Sequence, residues 1–342
     1  MVGALPALFG KLFLIGYLIP AAAILLAGAG VFDLHMESGL YALAKSVVAS
    51  TDEKVVAIRV GFFIVVVWVF AVLLMASNLA IIRSLEGYGD ANPARLLKWR
   101  TVGLFNRLSL RRAEIDLERK TKGTLPPEVV IEERRILAQL GTEFPEREDL
   151  VLPTRFGNVV RAFERYPQVV YGIDSIQAWG RMQALLGENY CTLLDDAKAQ
   201  LDLLVNLWFG GVLIAALNVG LLVWSSRHLE PAVWASNPQA WIALGAAVAA
   251  AVIAAKWAQS AAMQWGVLVK GAFDLYRGDL ARQMGLEIPR SVEHERRMWT
   301  KVAQTMLYRL PHFADGLTQY RPLDPPRTRR DDAGKSPGGA GR

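Results

Sequence analysis

Four long apolar runs divide this chain, and its charged residues collect between them. The clearest run is Val60 to Ile82, 23 residues without a charge, bracketed by Arg59 and Arg83; fifteen of them are Val, Ile, Leu or Phe. At about −0.3 to −0.6 kcal/mol for each such residue near a bilayer centre, insertion of this run is favourable. A helix of that length rises roughly 34 Å, enough to cross a hydrocarbon core of ~30 Å with some tilt. Leu12 to Phe32 is a second uncharged run, with Pro20 inside it, a residue that membrane helices tolerate. Leu203 to Ser226 is a third. The fourth begins near Ala240 and meets Lys256 and Trp257, a pair suited to snorkelling at an interface. The pattern predicts four transmembrane helices, over about 12–32, 60–82, 203–226 and 240–257. For the first run there is a rival reading: Lys11 precedes it, and Ala27-Gly28-Ala29 has the small-x-small form of a signal-peptide cleavage site. The residues before Lys11 are themselves apolar (Ala4, Leu5, Ala7, Leu8, Phe9), which favours an uncleaved span.

The polar segments between the runs read as helical. In residues 33–57, Leu40, Leu43 and Val47 have the spacing of a small surface helix. After Arg83 basic residues crowd in: Arg95, Lys98, Arg100, Arg107, Arg111 and Arg112. By the positive-inside rule, 83–200 is a cytoplasmic insert. Asn92-Pro93 is an N-cap with proline at the first helical position, and Leu97, Leu104, Leu108 and Ile115 mark an apolar face beyond it. Glu128 to Leu140 predicts a helix closed by Gly141. Thr154 to Arg165 predicts another, broken at Tyr166-Pro167, with Ile173 to Leu186 helical again. Cys191, Leu194, Leu201, Leu204 and Trp208 carry the third span's seam back toward the insert. From Lys270 the chain is basic once more, and Ser291 caps a helix with Glu293 and Glu295 in its first turn. No alternating run suggests a sheet. The tail from Arg321, rich in Pro, Gly, Arg and Asp, has nothing to bury and is expected to be disordered. The predicted fold class is an all-α integral membrane protein. Its segments are a first hairpin (1–82), the cytoplasmic helical insert (83–200), a second hairpin (201–269), a cytoplasmic helical segment (270–320) and the tail (321–342).

Composition agrees with a chain divided between bilayer and water: 53% hydrophobic and 20% charged, with a formal charge of +6. The lone Cys191 excludes an intramolecular disulfide and a Cys-clustered metal site, and the four histidines have no ligand spacing. No metal or cofactor is called for. There is no Gly-x-Ser-x-Gly, His-Glu-x-x-His or Walker lysine motif, so no catalytic residue is assigned. Asp195-Asp196 is a lone acidic pair. Basic residues alternate with acids, which gives nucleic-acid binding no support.

Three stretches carry a resemblance. They are Leu152-Pro-Thr-Arg-Phe-Gly-Asn158 with Arg161 and Glu164; Tyr171-Gly-Ile-Asp174 with Trp179 and Arg181; and Phe273-Asp-Leu-Tyr-Arg277 with Pro289 and Trp299. Together they resemble a family of uncharacterised bacterial multi-pass membrane proteins, over roughly the second half of the chain. The resemblance implies an architecture in a bacterial plasma membrane and no activity.

Two groups of residues remain as candidates. On a helix from 155 to 165, Phe156, Val159, Val160 and Phe163 share one sector, while Arg155, Asn158, Arg161 and Arg165 share the opposite one. Guanidinium forks on such a face suit an anionic lipid headgroup or a phosphorylated ligand; an ordinary solvated face, balanced by Glu164, is the plainer reading. In the spans, Gly211 and Ala215, and Ala243, Ala247, Ala251 and Ala255, have the four-residue spacing of close helix packing, within one bundle or in a homo-oligomer. The spans as bounded contain no Asp, Glu, His or Arg, which argues against an ion-coupled transporter. The function expected is a non-catalytic scaffold or signalling component, with both termini cytoplasmic, whose insert binds anionic lipid or a partner protein. A membrane-bound enzyme acting on lipid and an oligomeric channel are the alternatives.

Overall fold

The structure is a computed structural model that describes residues 10–36, 53–90, 92–228, 238–308 and 314–322. All regular structure among the described residues is helical. In chain order the helices are α1 (Lys11–Phe13), continued by a π-helical turn (Leu14–Leu18) into α2 (Ile19–Met36), then α3 (Glu53–Glu86), α4 (Lys98–Lys122), α5 (Pro127–Glu143), α6 (Arg155–Tyr171), α7 (Ser175–Gln183), α8 (Glu188–His228), α9 (Pro238–Gln283) and α10 (Val292–Tyr308). Among the described residues, four helices are long and apolar enough to cross a membrane: Lys11–His35, Lys54–Glu86, Glu188–Arg227 and Pro238–Gln283. The surface helix expected around Leu40, Leu43 and Val47, residues 229–237 between the third and fourth runs, and nearly all of the tail lie outside the described residues.

Local chemistry accounts for most boundaries. Asn92 Oδ1 accepts from Ala94 N at 2.9 Å and opens a 3-10 turn (Pro93–Leu97) ahead of α4, and Gly123, at φ +78°, ends that helix. Two expected boundaries move. α5 runs through Gly141 to Glu143, and α6 runs through Pro167 to Tyr171. A proline inside a helix removes a single N–H, and here that omission does not stop the chain. Gly172 does, at φ +83°: a Cβ on it would lie 2.6 Å from Arg296 O. Asp174 then caps α7, accepting from Gln177 N at 3.2 Å.

The described chain forms two compact units, residues 1–165 with 187–270 and residues 166–186 with 271–342. In the first unit α2 packs along α8, and α3 lies against both. α8 is the central helix, because two consecutive glycines serve two neighbours. A Cβ on Gly210 would collide with Ile24 of α2, whereas one on Gly211 would meet Ala251 Cβ at 2.9 Å and Ala247 O at 3.0 Å on α9. Successive helical residues point about 100° apart, so this pair admits a helix on each side.

A buried polar cluster joins three helices of this unit. Asp202 of α8 is 1% exposed and accepts from Tyr17 Oη at 2.8 Å, from Asn78 Nδ2 at 3.2 Å and from Lys198 Nζ one turn back. Asn206, one turn on, donates to Gly16 O at 2.8 Å. Pro20 makes that acceptor available, since residue 20 would otherwise have donated to the carbonyl of residue 16. Gly16 also lets the backbone close in, because a Cβ there would stand 3.2 Å from Asp202 Cβ. The sequence reading began the third span at Leu203 and so left Asp202 out of it. In the fold Asp202 is sealed among apolar helices.

The second unit contains two of the three stretches that carry the resemblance, those around Tyr171 and Phe273. Tyr166 and Tyr171 both donate to Asp274, at 3.0 Å and 2.8 Å to Oδ1. Burial, followed by the Asp274 carboxylate, pushes both phenols above their ordinary range, so they stay donors at neutral pH. The Arg277 guanidinium lies 4.3 Å from the Tyr171 ring centroid and reaches Glu295 at 3.1 Å. Trp299 is 1% exposed, and Trp179 stacks at 6.0 Å on Phe273.

Candidate functional site

The first unit's helical insert is fastened to the end of α3 by the segment Leu152 to Asn158. Thr154 Oγ1 donates to Leu85 O at 2.8 Å and accepts from Gly157 N at 2.9 Å, so it caps α6 and ties it to α3. A Cβ on Gly157 would sit 2.5 Å from Glu86 O, which requires glycine at that crossing. Asn158 is 0% exposed: its Oδ1 accepts from Leu152 N at 2.6 Å, and its Nδ2 donates to Leu152 O and Thr154 O at 2.9 and 2.8 Å. Thr101 of α4 donates to Leu152 O at 2.9 Å from the other side. Each polar group in this turn is spent on holding its backbone, and Arg155 is left pointing out of it, exposed.

Arg155 borders two hollows. One is a cleft of about 540 Å³ lined by Arg100, Arg107 and Arg155, with Thr101, Leu104 and Pro153 between them. No acidic side chain lines it. None of the three arginines has an ion pair among the described residues, whereas Arg83, Arg95, Arg111, Arg119, Arg147 and Arg165 each do. Three uncompensated guanidinium groups around one concave surface form a focused positive field with many N–H donors. The other hollow, about 520 Å³, runs between α8 and α9 and has Arg155, Lys256 and Gln259 among otherwise mostly apolar walls.

The four residues expected to share an anion-binding face go to different places. Arg155 lines both hollows. Asn158 is interior, bonded to backbone on every side described above. Arg161 is half-buried and donates to Tyr88 Oη, with its Nε enclosed and without a hydrogen bond. Arg83 lies 4.8 Å from the same tyrosine ring and pairs with the buried Glu86 at 3.0 Å. Burial raises the Glu164 carboxyl above its usual range, against the pull of Arg83 and Arg161. Arg165 is bonded to Glu146, at 3.0 Å from Nε. The apolar sector meets the interior as expected: Phe156, Val159, Val160 and Phe163 are all buried, and Phe163 sits edge-on to Trp265 at 5.2 Å.

Among the small residues, Ala247 and Ala251 are each 8% exposed against Gly211, and Ala215 and Ala255 line the hollow beside Arg155. Ala243 borders a separate apolar groove of about 610 Å³ between α2, α8 and α9. Arg100 and Arg107 were read from the sequence only as part of a basic cluster that orients the chain. Their seven-residue spacing on α4 was the available signal, since it places both on one helical face. Nothing in the sequence brings Arg155 to them, because that meeting depends on the turn that Asn158 builds.

Among the described residues, these observations define an all-helical structure with four helices long enough and apolar enough to span a membrane, carrying an arginine-lined cleft. No family model, curated protein or solved structure matches the chain.

Proposed function

We propose that this protein is a non-catalytic four-span component of a bacterial plasma membrane whose cytoplasmic insert captures a phosphate-bearing anion at the membrane surface. The observation that carries this reading is the cleft of Arg100, Arg107 and Arg155, three guanidinium groups without acidic partners among the described residues. Guanidinium pairs bind phosphate through parallel charge-assisted hydrogen bonds, which are stronger than those from neutral donors. The side chains lining the cleft carry no carboxylate, imidazole or thiol, and its two threonine hydroxyls donate to backbone carbonyls. That chemistry favours holding an anion over transforming it. The positive-inside rule supports a cytoplasmic position for residues 83–165.

The test uses the full chain in nanodiscs of phosphatidylcholine alone, titrated with glycerol phosphate and followed by thermal unfolding. A ligand that binds only the folded state raises the midpoint by mass action. Wild type is expected to shift upward, less so as salt screens the site, while a folded R100A/R107A/R155A variant is expected to stay level. Equal shifts in the two proteins would refute the reading.

A further inference from the structure

The hollow between α8 and α9 begins where the arginine cleft ends. Thr154 and Arg155 line both. Its walls come from Trp208, Val212 and Ala215 on one helix and Val248, Val252 and Ala255 on the other, with the Gly211–Ala251 contact as its floor. The two helices run in opposite directions along it, because Gly211 meets Ala251 while Asn218, further along α8, donates to Ala240 O, earlier on α9. Trp208 therefore stands near Lys256 and Gln259, and Ala215 near Val248. From Val248 to Gln259 the groove extends about 16 Å at 1.5 Å per residue. Its polar atoms are gathered at the Gln259 end, in Arg155, Lys256 and Gln259, and the opposite end is wholly apolar. Lys256 is exposed and, like Arg155, has no ion pair among the described residues.

An apolar trough with two uncompensated cations and an amide at one end has the charge pattern of a single amphiphile. We infer that this groove seats one acyl chain of an anionic phospholipid, with its phosphate between Arg155 and Lys256 and its headgroup extending toward Arg100 and Arg107. The inference rests on the reading of the arginine cleft as an anion site, and it names the ligand as a lipid held within the bundle. Hydrocarbon alone gains little here, since lipid tails are as apolar as the groove walls. The selectivity comes from charge, and the groove supplies position. Val248 and Val252, about half exposed, leave the trough open along its length, so a lipid can enter sideways from the bilayer.

The experiment retains the full chain in nanodiscs of phosphatidylcholine with phosphatidylglycerol, extracts it in mild detergent, and counts bound lipid by native mass spectrometry. Val252→Trp fills the trough from an exposed wall position without touching the Gly211–Ala251 floor, and Ala215→Phe does so from the other wall. Each is expected to lower retained phosphatidylglycerol about tenfold, because a lipid whose chain is kept out of the trough no longer holds its phosphate between Arg155 and Lys256, with phosphatidylcholine unaffected. Both should keep the glycerol phosphate response of wild type, because the arginine cleft is intact. Lys256→Ala is expected to lower phosphatidylglycerol retention alone. Full retention in both trough-filled variants, alongside loss in the triple arginine variant, would overturn the lipid seat and leave the anion site standing. Unchanged retention in every variant, with no glycerol phosphate response in wild type, would remove both.

Discussion

Residues whose type suggests one role are assigned another by burial. Asn158 looks like a polar companion of arginines on a helix face, yet all its capacity goes to Leu152 and Thr154 backbone groups. Its effect on any anion is indirect, through where it leaves Arg155. Asp202 is the converse case, a charge set one residue before an apolar run that proves to be buried, 1% exposed. Removing one partner of a buried charged network leaves the others unpaid, typically by about 3–5 kcal/mol. Asp202→Ala strands Lys198, Tyr17 and Asn78 together, and is expected to lower stability by an amount toward that range. Asp202→Asn retains an acceptor for the Tyr17 hydroxyl and should lose less. Thermal unfolding of both variants in one detergent decides this; equal melting of Asp202→Ala and wild type would mean that the cluster contributes nothing to stability.

Helices in this protein meet where a side chain is missing. Gly157 lies against Glu86, Gly172 against Arg296, Gly210 against Ile24 and Gly211 against Ala251. At Gly211 the nearest obstacles include backbone atoms of α9, which cannot move aside as a flexible side chain would. Ala251→Leu is therefore expected to force α8 and α9 apart and destabilise the protein by about 1–3 kcal/mol through overpacking. Ala249→Leu is the control, because that residue is exposed and should leave the melting midpoint within error of wild type. Equal effects of the two substitutions would show that the Gly211 crossing is not a tight contact. Pro20 and Pro167 illustrate the other side of helix design. The first frees the Gly16 carbonyl for Asn206, and the second passes through α6 without ending it.

For the molecule as a whole, the distribution of arginine and lysine sets the expected orientation. Basic residues crowd after the second and fourth apolar runs and are sparse between the first and second. Both ends of the chain should accordingly lie on the cytoplasmic side, which also places Arg100, Arg107 and Arg155 there. A topology reporter fused after Gly316 should be active only in its cytoplasm-reporting form. Activity of the externally reporting fusion would reverse the orientation and put the arginine cleft on the outer face.

Period and composition alone were enough to reveal the four long apolar helices, the helical character of the insert and the inward face of α6. Each of these follows from local hydrophobic spacing, a property carried by neighbours three and four residues apart. Gly211 and Ala251 were legible for the same reason, as small residues on a repeating face. The cleft was not legible. Arg100 and Arg155 are 55 positions apart, and their meeting depends on Thr101 reaching Leu152, on Thr154 reaching Leu85 and on Gly157 admitting Glu86. The enclosure of Asp202 likewise needs Tyr17 and Asn78 from two other helices. Spacing along a helix says which side chains share a face. Whether that face looks toward water, another helix or a backbone carbonyl is set by long-range packing, and with it which charges stay uncompensated and able to hold a ligand.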